Sequence, residues 1–362
     1  MATADGTWAY RDRFGDSFGR TYFRRFPPGV CSSIGIGSYL GEPTDRVDEA
    51  YREAIETALE NGINHVDTAI NYRCQRSERV IGDVLERTEI DREAIVVATK
   101  GGFLPFDGER PADPGEYIRE QFVEPGVVDP GSLVRGSHSL EPNFINEMLD
   151  QSLSNLGVET IDCYYLHNPE TQLLDADPGS VYDQLEAAFE LLERRRAAGD
   201  IGVYGLATWQ AFRVPQSHQQ YLSLPAVIER AEAAAEHVGV DDHGLAAIQL
   251  PFNVKMADAF TVKSQPSDEG PVSALEYAHE SGLSVVTSAS IGQGDLAAAI
   301  PPAVDAELSG DTAAQRAINF ARSAPGVTTS LVGMRSADHV AENVAAGTFD
   351  PLGASAFDTV FE

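Results

Sequence analysis

From Ser32 onward, short apolar runs rich in β-branched residues alternate with longer stretches whose apolar positions recur every three or four residues. SSIGIGSYL is followed by DRVDEAYREAIETALENG, where Val47, Ala50, Ile55, Ala58 and Leu59 recur at helical spacing and Gly62 supplies a stop. INHVDTA reads as a strand, SERVIGDVLERT as a helix and AIVVATK as a strand. NFINEMLDQSLSNLG reads as a helix opened by Asn143 and stopped by Gly157, and IDCYYLH as a strand. The second half keeps the rhythm. Helical VYDQLEAAFELLERRRAAG, PAVIERAEAAAEHVG, SALEYAHESG, TAAQRAINFARSAPG and SADHVAENVAAG are interleaved with extended IGVYGLATW, LAAIQLPFN, LSVVTSAS and TTSLVGM.

About eight strand–helix units joined by right-handed crossovers are most economically closed as an α/β (β/α)8 TIM barrel. An open doubly wound sheet would need a phosphate loop after a strand. Gly35, Gly37 and Gly41 in GIGSYLG misplace the last glycine, and no acidic residue follows in the expected role, so a Rossmann site is rejected. Two stretches exceed what a barrel needs. Gly102–Pro142, rich in Pro, Gly and acids, forms a long loop over the active-site face after the third strand, and Trp209–Leu224 extends the loop after the fifth. The aromatic arm 1–31 packs on or beneath the barrel, and 1–362 reads as a single domain.

Charge changes the list of partners. The chain carries 56 acidic against 26 basic residues, a formal net charge of −30, and its only lysines are Lys100, Lys255 and Lys263. Nucleic acid and anionic membrane are therefore excluded as partners. Because the acids are spread through the helical segments, they read as a whole-surface property suited to high salt, a halophilic cytoplasm, with a haloarchaeal source as one origin. Cys31, Cys74 and Cys163 form no C-x-x-C pair, and neither a leader-like start nor an apolar run of membrane-spanning length is present; a cytoplasmic protein is expected. No metal site is expected: H-E-x-x-H is absent, and His237 and His243 flank a Gly-containing loop instead of sharing a helix face. Cys74, without a nearby histidine in sequence, reads as a packing group.

The chemistry collects at strand ends. Asp67, Tyr72, Lys100 and His167 each close or follow an apolar run, so a carboxylate, a phenol, a cation and an imidazole meet where a βα barrel keeps its active site. Singly, each has a plainer reading as cap, packing or core residue. Together, in barrel order, and with a scarce lysine among them, they read as a site.

DTAINY, ATKGG, LHNPE, GDIGVYGLATW, IQLPFN and VGMRSADHVAEN follow one another over Ser32–Ala346, and in that order the chain resembles an aldo-keto reductase. The resemblance implies an NAD(P)H-dependent oxidoreductase that interconverts a carbonyl and an alcohol, acting on a small carbonyl compound or sugar. Charge developing on the carbonyl oxygen needs a proton donor and a stabilising field. Tyr72 would be the general acid/base, Lys100 would stabilise its phenolate, Asp67 would hold Lys100, and His167 would orient the substrate. For the cofactor, the resemblance carries over Gln249 to the nicotinamide amide, and Glu342 and Asn343 to the adenine end. Gly333, Arg335, Ser336 and His339 would form the loop meeting a 2′-phosphate, and Gly37, Ser38, Thr208 and Ser288 would complete the pocket. NADP is favoured over NAD by Arg335, the loop's one fixed cation. The chain departs from the family's habit at Ala207-Thr208, at Ser288 where an aromatic residue is common, and in the longer RCQRSE stretch after Tyr72. The alternatives are a sugar (aldose) 1-dehydrogenase running in the oxidative direction, and a catalytically weak cofactor-binding regulatory protein on the same barrel.

Overall fold

The computed structural model describes residues 1–361. Eight strands close into a barrel: Ile34–Gly37, His65–Asp67, Val96–Gly101, Ile161–His167, Ile201–Ala207, Leu245–Pro251, Ser284–Ser288 and Val327–Gly333, hereafter strands 1 to 8. Each pairs in parallel with the next, and strand 8 returns to strand 1. The periodicity therefore identified the architecture correctly.

Local chemistry explains where the helices between strands begin and end. Pro178–Ala198 starts where Asp177 accepts a bond from the Ser180 amide at 3.1 Å, with Pro178 in the first turn, and it stops at Gly199 in the left-handed region. Ala313–Ser323 opens on a capping box between Thr312 and Gln315. The helix expected to open at Asn143 instead begins at Pro142, after Glu141, and ends at Gly157 as expected.

Strand alternation sends one set of side chains into the barrel. Val96, Ala98, Cys163, Tyr165, Ala207, Ala247, Val286 and Leu331 form the interior cluster, whereas Val97, Tyr164 and Leu166 pack in the main core. Gly205 is required there. A Cβ on it would lie 2.3 Å from the Ala247 carbonyl oxygen and 2.7 Å from the Tyr165 ring. The same alternation puts His65 below Asp67 on one inward-facing column.

The amino-terminal arm lies beneath the barrel and closes its floor. Ala4–Arg13 is helical, and Phe23–Phe26 pairs antiparallel with Gly29–Ser32. Phe26 and Cys31 join the interior cluster, with the Phe26 ring 5.5 Å from that of His65. The Ala2 amide donates to Asp162 at 2.6 Å, and Arg24 donates to the carbonyls of Val327 and Arg322, each at 2.7 Å. Strand 1 starts later than the apolar run SSIGIGSYL because Ser32 belongs to this hairpin.

The excursion after strand 3 is folded, not draped over the barrel mouth. It contains the helix Pro114–Ile118, continuing through Arg119–Val123, and a ladder of rings, Phe106, Tyr117, Phe122 and Phe144, packs it against helix Pro142–Leu156. The excursion after strand 5 is braced by a second hairpin, Lys263–Gln265 with Val272–Ser273. Gln216 and Tyr221 both donate to the Ser264 carbonyl, at 2.8 and 2.9 Å. Among the described residues no helix is long and apolar enough to cross a membrane.

Candidate active site

The four candidate catalytic groups meet at the carboxyl end of strands 2 to 4. Asp67 ends strand 2, Lys100 lies one residue from the end of strand 3, His167 ends strand 4, and Tyr72 follows in the turn after strand 2. Lys100 Nζ donates to Asp67 Oδ1 at 2.5 Å and to the Thr68 carbonyl at 2.7 Å, and it sits 4.9 Å from the centre of the Tyr72 ring. Gln249 Nε2 donates to the other Asp67 oxygen at 2.8 Å. The Tyr72 and His167 rings meet edge to face at 5.8 Å.

Burial and charge set the protonation states. Burial alone would pull the Lys100 ammonium down, but Asp67 and Tyr72 outweigh it, and its pKa ends above the ordinary lysine value. Burial pushes the Asp67 carboxyl up, against the Lys100 charge and the bonds from Lys100 and Gln249. Burial also raises the Tyr72 phenol while Lys100 pulls it back, so Tyr72 holds its proton at neutral pH. His167 is held well below the usual imidazole range by burial, then by Lys100 and His138; it is neutral, and its Nδ1 is buried without a partner. The arrangement thus offers a neutral phenol beside a fixed cation, with a neutral imidazole facing it.

The turn carrying Tyr72 is strained. Arg73, Cys74 and Gln75 take φ of 49°, 57° and 68°, a left-handed conformation that costs a non-glycine residue about 1–2 kcal/mol. Side chains hold it there. Buried Arg73 binds the Glu42 carbonyl and Asp48 and stacks over Tyr51 at 5.3 Å, while Gln75 Nε2 donates to the Phe106 carbonyl at 3.1 Å. This is the structural content of the long RCQRSE stretch. Burial raises the Cys74 thiol despite the arginines around it, as suits a packing group better than a nucleophile.

A cleft of about 650 Å³ runs from these groups across the barrel mouth. Gly37, Ser38, Thr208, Gln249 and Ser288 line its middle, and Gly333, Arg335, His339, Glu342 and Asn343 its far end. Ser336 does not line it. Its Oγ accepts from the His339 amide at 3.3 Å and caps helix Ala337–Ala345, between the cleft-lining Arg335 and His339. Lys100 is likewise beneath the cleft, reaching it through Tyr72.

The cleft also has walls that the sequence reading missed. Tyr39 packs on Tyr72 at 4.9 Å, Phe103 on His167 at 5.1 Å, and Asn71, Asn168 and Trp209 line the same end. Of the Gly102–Pro142 excursion, Phe103 alone lines this cleft. The signal available in sequence was adjacency: Phe103 follows ATKGG, and Trp209 follows Ala207-Thr208. Ser290, Ile291, Gln293, Gly294 and Ala297 cover the middle, in a segment where Ala289 and Gln293 are left-handed.

The residues fit a nicotinamide dinucleotide. The cleft is continuous from Tyr72 to Arg335, and the positions where Cβ atoms of Gly37 and Gly333 would lie have no atom within 4 Å, leaving open floor in the middle and at the far end. A separate cluster of metal-type ligands, Glu186, Glu190 and His237, lies away from the cleft, brought together by two neighbouring helices that sequence spacing could not pair. Arg230 already neutralises Glu186, and Arg194 neutralises Glu190.

A family model described as the aldo/keto reductase family matches residues 33–229. The chain is 28% identical over 178 residues to the uncharacterized oxidoreductase YqkF of Bacillus subtilis (strain 168), covering 49% of this chain and 45% of that protein. It is 31% identical over 163 residues to a D-threo-aldose 1-dehydrogenase of a Pseudomonas species, covering 44% of each. The matched part thus spans less than half of either relative. A crystal structure of an aldo/keto reductase from Klebsiella pneumoniae in complex with NADP and acetate superposes with a TM-score of 0.62 at 16% identity, covering 94% of both chains, and shows the shared fold. The chain belongs to the aldo/keto reductase family.

Proposed function

We propose that the protein is an NAD(P)H-dependent oxidoreductase interconverting a small carbonyl compound and its alcohol, working as one domain in the cytosol. The observation that carries this reading is the convergence of a neutral Tyr72, a charged Lys100 held by Asp67, and a neutral His167 at one end of a dinucleotide-length cleft. A nicotinamide bound across Gln249 and Ser288 would supply the hydride. Tyr72 gives its phenolic proton to the carbonyl oxygen in reduction and takes it back in oxidation. Lys100 stabilises the phenolate left behind, Asp67 keeps Lys100 charged and aimed, and the imidazole of His167 holds the oxygen in reach of Tyr72. Tyr39, Phe103 and Trp209 line the same end of the cleft and offer apolar surface for the carbon skeleton.

The likeness to an aldose dehydrogenase favours oxidation of a sugar at its anomeric carbon as the second reading, since the same four groups serve both directions. A spectrophotometric screen of aldehydes, ketones and sugars with both nicotinamides, at several salt concentrations, tests the proposal. Turnover of a subset is expected, whereas cofactor binding with no turnover across the panel would instead support a regulatory protein on this barrel.

NADP is the proposed cofactor. Arg335 is exposed at the far end of the cleft, and the resemblance puts a 2′-phosphate beside it. Arg335→Ala is expected to weaken NADPH binding about tenfold and leave NADH binding nearly unchanged, as a charge-assisted hydrogen bond is lost for one cofactor only. Fluorescence titration of both cofactors at fixed salt reads this directly, and an equal loss for both would remove Arg335 from phosphate recognition.

The acidic surface supports a halophilic setting. With a net charge of −30, self-repulsion at low ionic strength opposes folding, and at molar salt the Debye length falls to about 3 Å. The unfolding temperature is expected to climb steeply with KCl; a flat dependence from dilute buffer to molar salt would contradict that setting.

A further inference from the structure

We propose that His138, on the returning limb of the excursion after strand 3, is a positioning residue for His167. The inference rests on the reading of His167 as the group that orients the carbonyl.

Ladder pairing between strands 3 and 4 ends at Gly101 and Leu166, so His167, one residue further and paired with Ala207 of strand 5, has no partner on strand 3. A side chain takes that place. His138 Nε2 lies 2.8 Å from the His167 carbonyl oxygen. The tautomer is fixed by Gln172, whose Nε2 donates to His138 Nδ1 at 2.8 Å and to the His138 carbonyl at 3.1 Å. An Nδ1 that accepts leaves the proton of a neutral imidazole on Nε2, so His138 donates to His167. Burial, which lowers the His138 pKa to about 4, keeps the ring neutral.

The surroundings leave His167 little freedom. The Phe103 ring stands edge to face against both imidazoles, 4.8 Å from His138 and 5.1 Å from His167. Gly102, at φ 147°, lets the chain pass close: a Cβ on it would lie 2.8 Å from the His167 oxygen and 3.1 Å from His138 Nε2. The excursion is pinned at this point by the Ser139 amide, which donates to the Gly102 carbonyl at 2.9 Å. The same excursion braces the Tyr72 turn, through the Gly108 amide on the Cys74 carbonyl at 2.9 Å and Gln75 on the Phe106 carbonyl. It clamps both sides of the site from outside, touching the cleft only through Phe103.

Misplacement of about 1 Å can cost some 10²-fold in rate, so the donor from His138 has a kinetic signature. His138→Leu keeps the bulk and removes the donor. Per cofactor-binding site, its kcat/KM is expected to fall about 10- to 100-fold, with the carbonyl KM raised and the NADPH dissociation constant unchanged. His138→Gln keeps an amide donor at the reach of Nε2 and is expected to recover to within about threefold of wild type. Packing alone would not be rescued in this way. If the leucine variant fails to fold, Gln172→Met leaves His138 in place but frees its tautomer. Long-range proton–nitrogen NMR should then show loss of the pure Nε2-protonated form, with per-site kcat/KM reduced severalfold. Unchanged per-site kinetics in His138→Leu, or in Gln172→Met with a shifted tautomer, would overturn the proposal, as would His138→Gln no better than His138→Leu, or a wild-type His138 protonated on Nδ1. His167→Ala measured in parallel separates the two levels: an active His167→Ala overturns the substrate-orienting reading itself, and an inactive one beside a fully active His138→Leu overturns only the positioning by His138.

Discussion

Tyr72→Phe is expected to lose about 10² to 10⁴ in turnover while binding cofactor nearly as well as the native protein. The substitution removes the phenolic proton held beside Lys100 and leaves the ring, with its packing on Tyr39 and His167, in place. Because burial raises the phenol above its ordinary pKa, the native protein holds this proton throughout the neutral range. Turnover within a few-fold of native would remove Tyr72 from the chemistry.

Lys100→Met should be as severe for turnover and far worse for the fold. Lys100 and Asp67 are both buried, and taking one partner from a buried ion pair costs about 3–5 kcal/mol, because the remaining charge is stranded. The single variant is therefore expected to melt early. Adding Asp67→Asn removes the stranded carboxylate and keeps an acceptor for Gln249, so the double variant should regain most of the lost stability in denaturant unfolding while staying inactive. If the double variant regained activity as well, Lys100 would serve the fold alone.

The barrel was legible because apolar periodicity switches between two and three-to-four residues in a regular order, and each switch marks an element that must bury one face. The candidate catalytic groups were legible for a related reason: Asp67, Lys100 and His167 close strands, and strand ends in this architecture face one mouth. What escaped reading depends on contacts between residues far apart. Ala4–Arg13 carries no apolar stripe, yet the arm seals the barrel floor through Ala2 and Asp162, which are 160 residues apart in sequence. His138 lies in a stretch whose Pro, Gly and acidic composition reads as an open loop. Only the return of that stretch to Gly102 puts the imidazole against His167. Ser336, a polar residue in the expected cofactor loop, also caps the helix behind it, a second use that the loop motif alone does not show.

Hydride transfer at this site is read most directly by following the label from a nicotinamide cofactor deuterated at C4 into product, using a carbonyl substrate that the screen identifies. Deuterium is expected on the carbinol carbon in step with cofactor oxidation, and Tyr72→Phe is expected to suppress both together. Cofactor that binds the cleft but leaves no deuterium in any product across the panel would contradict hydride transfer here.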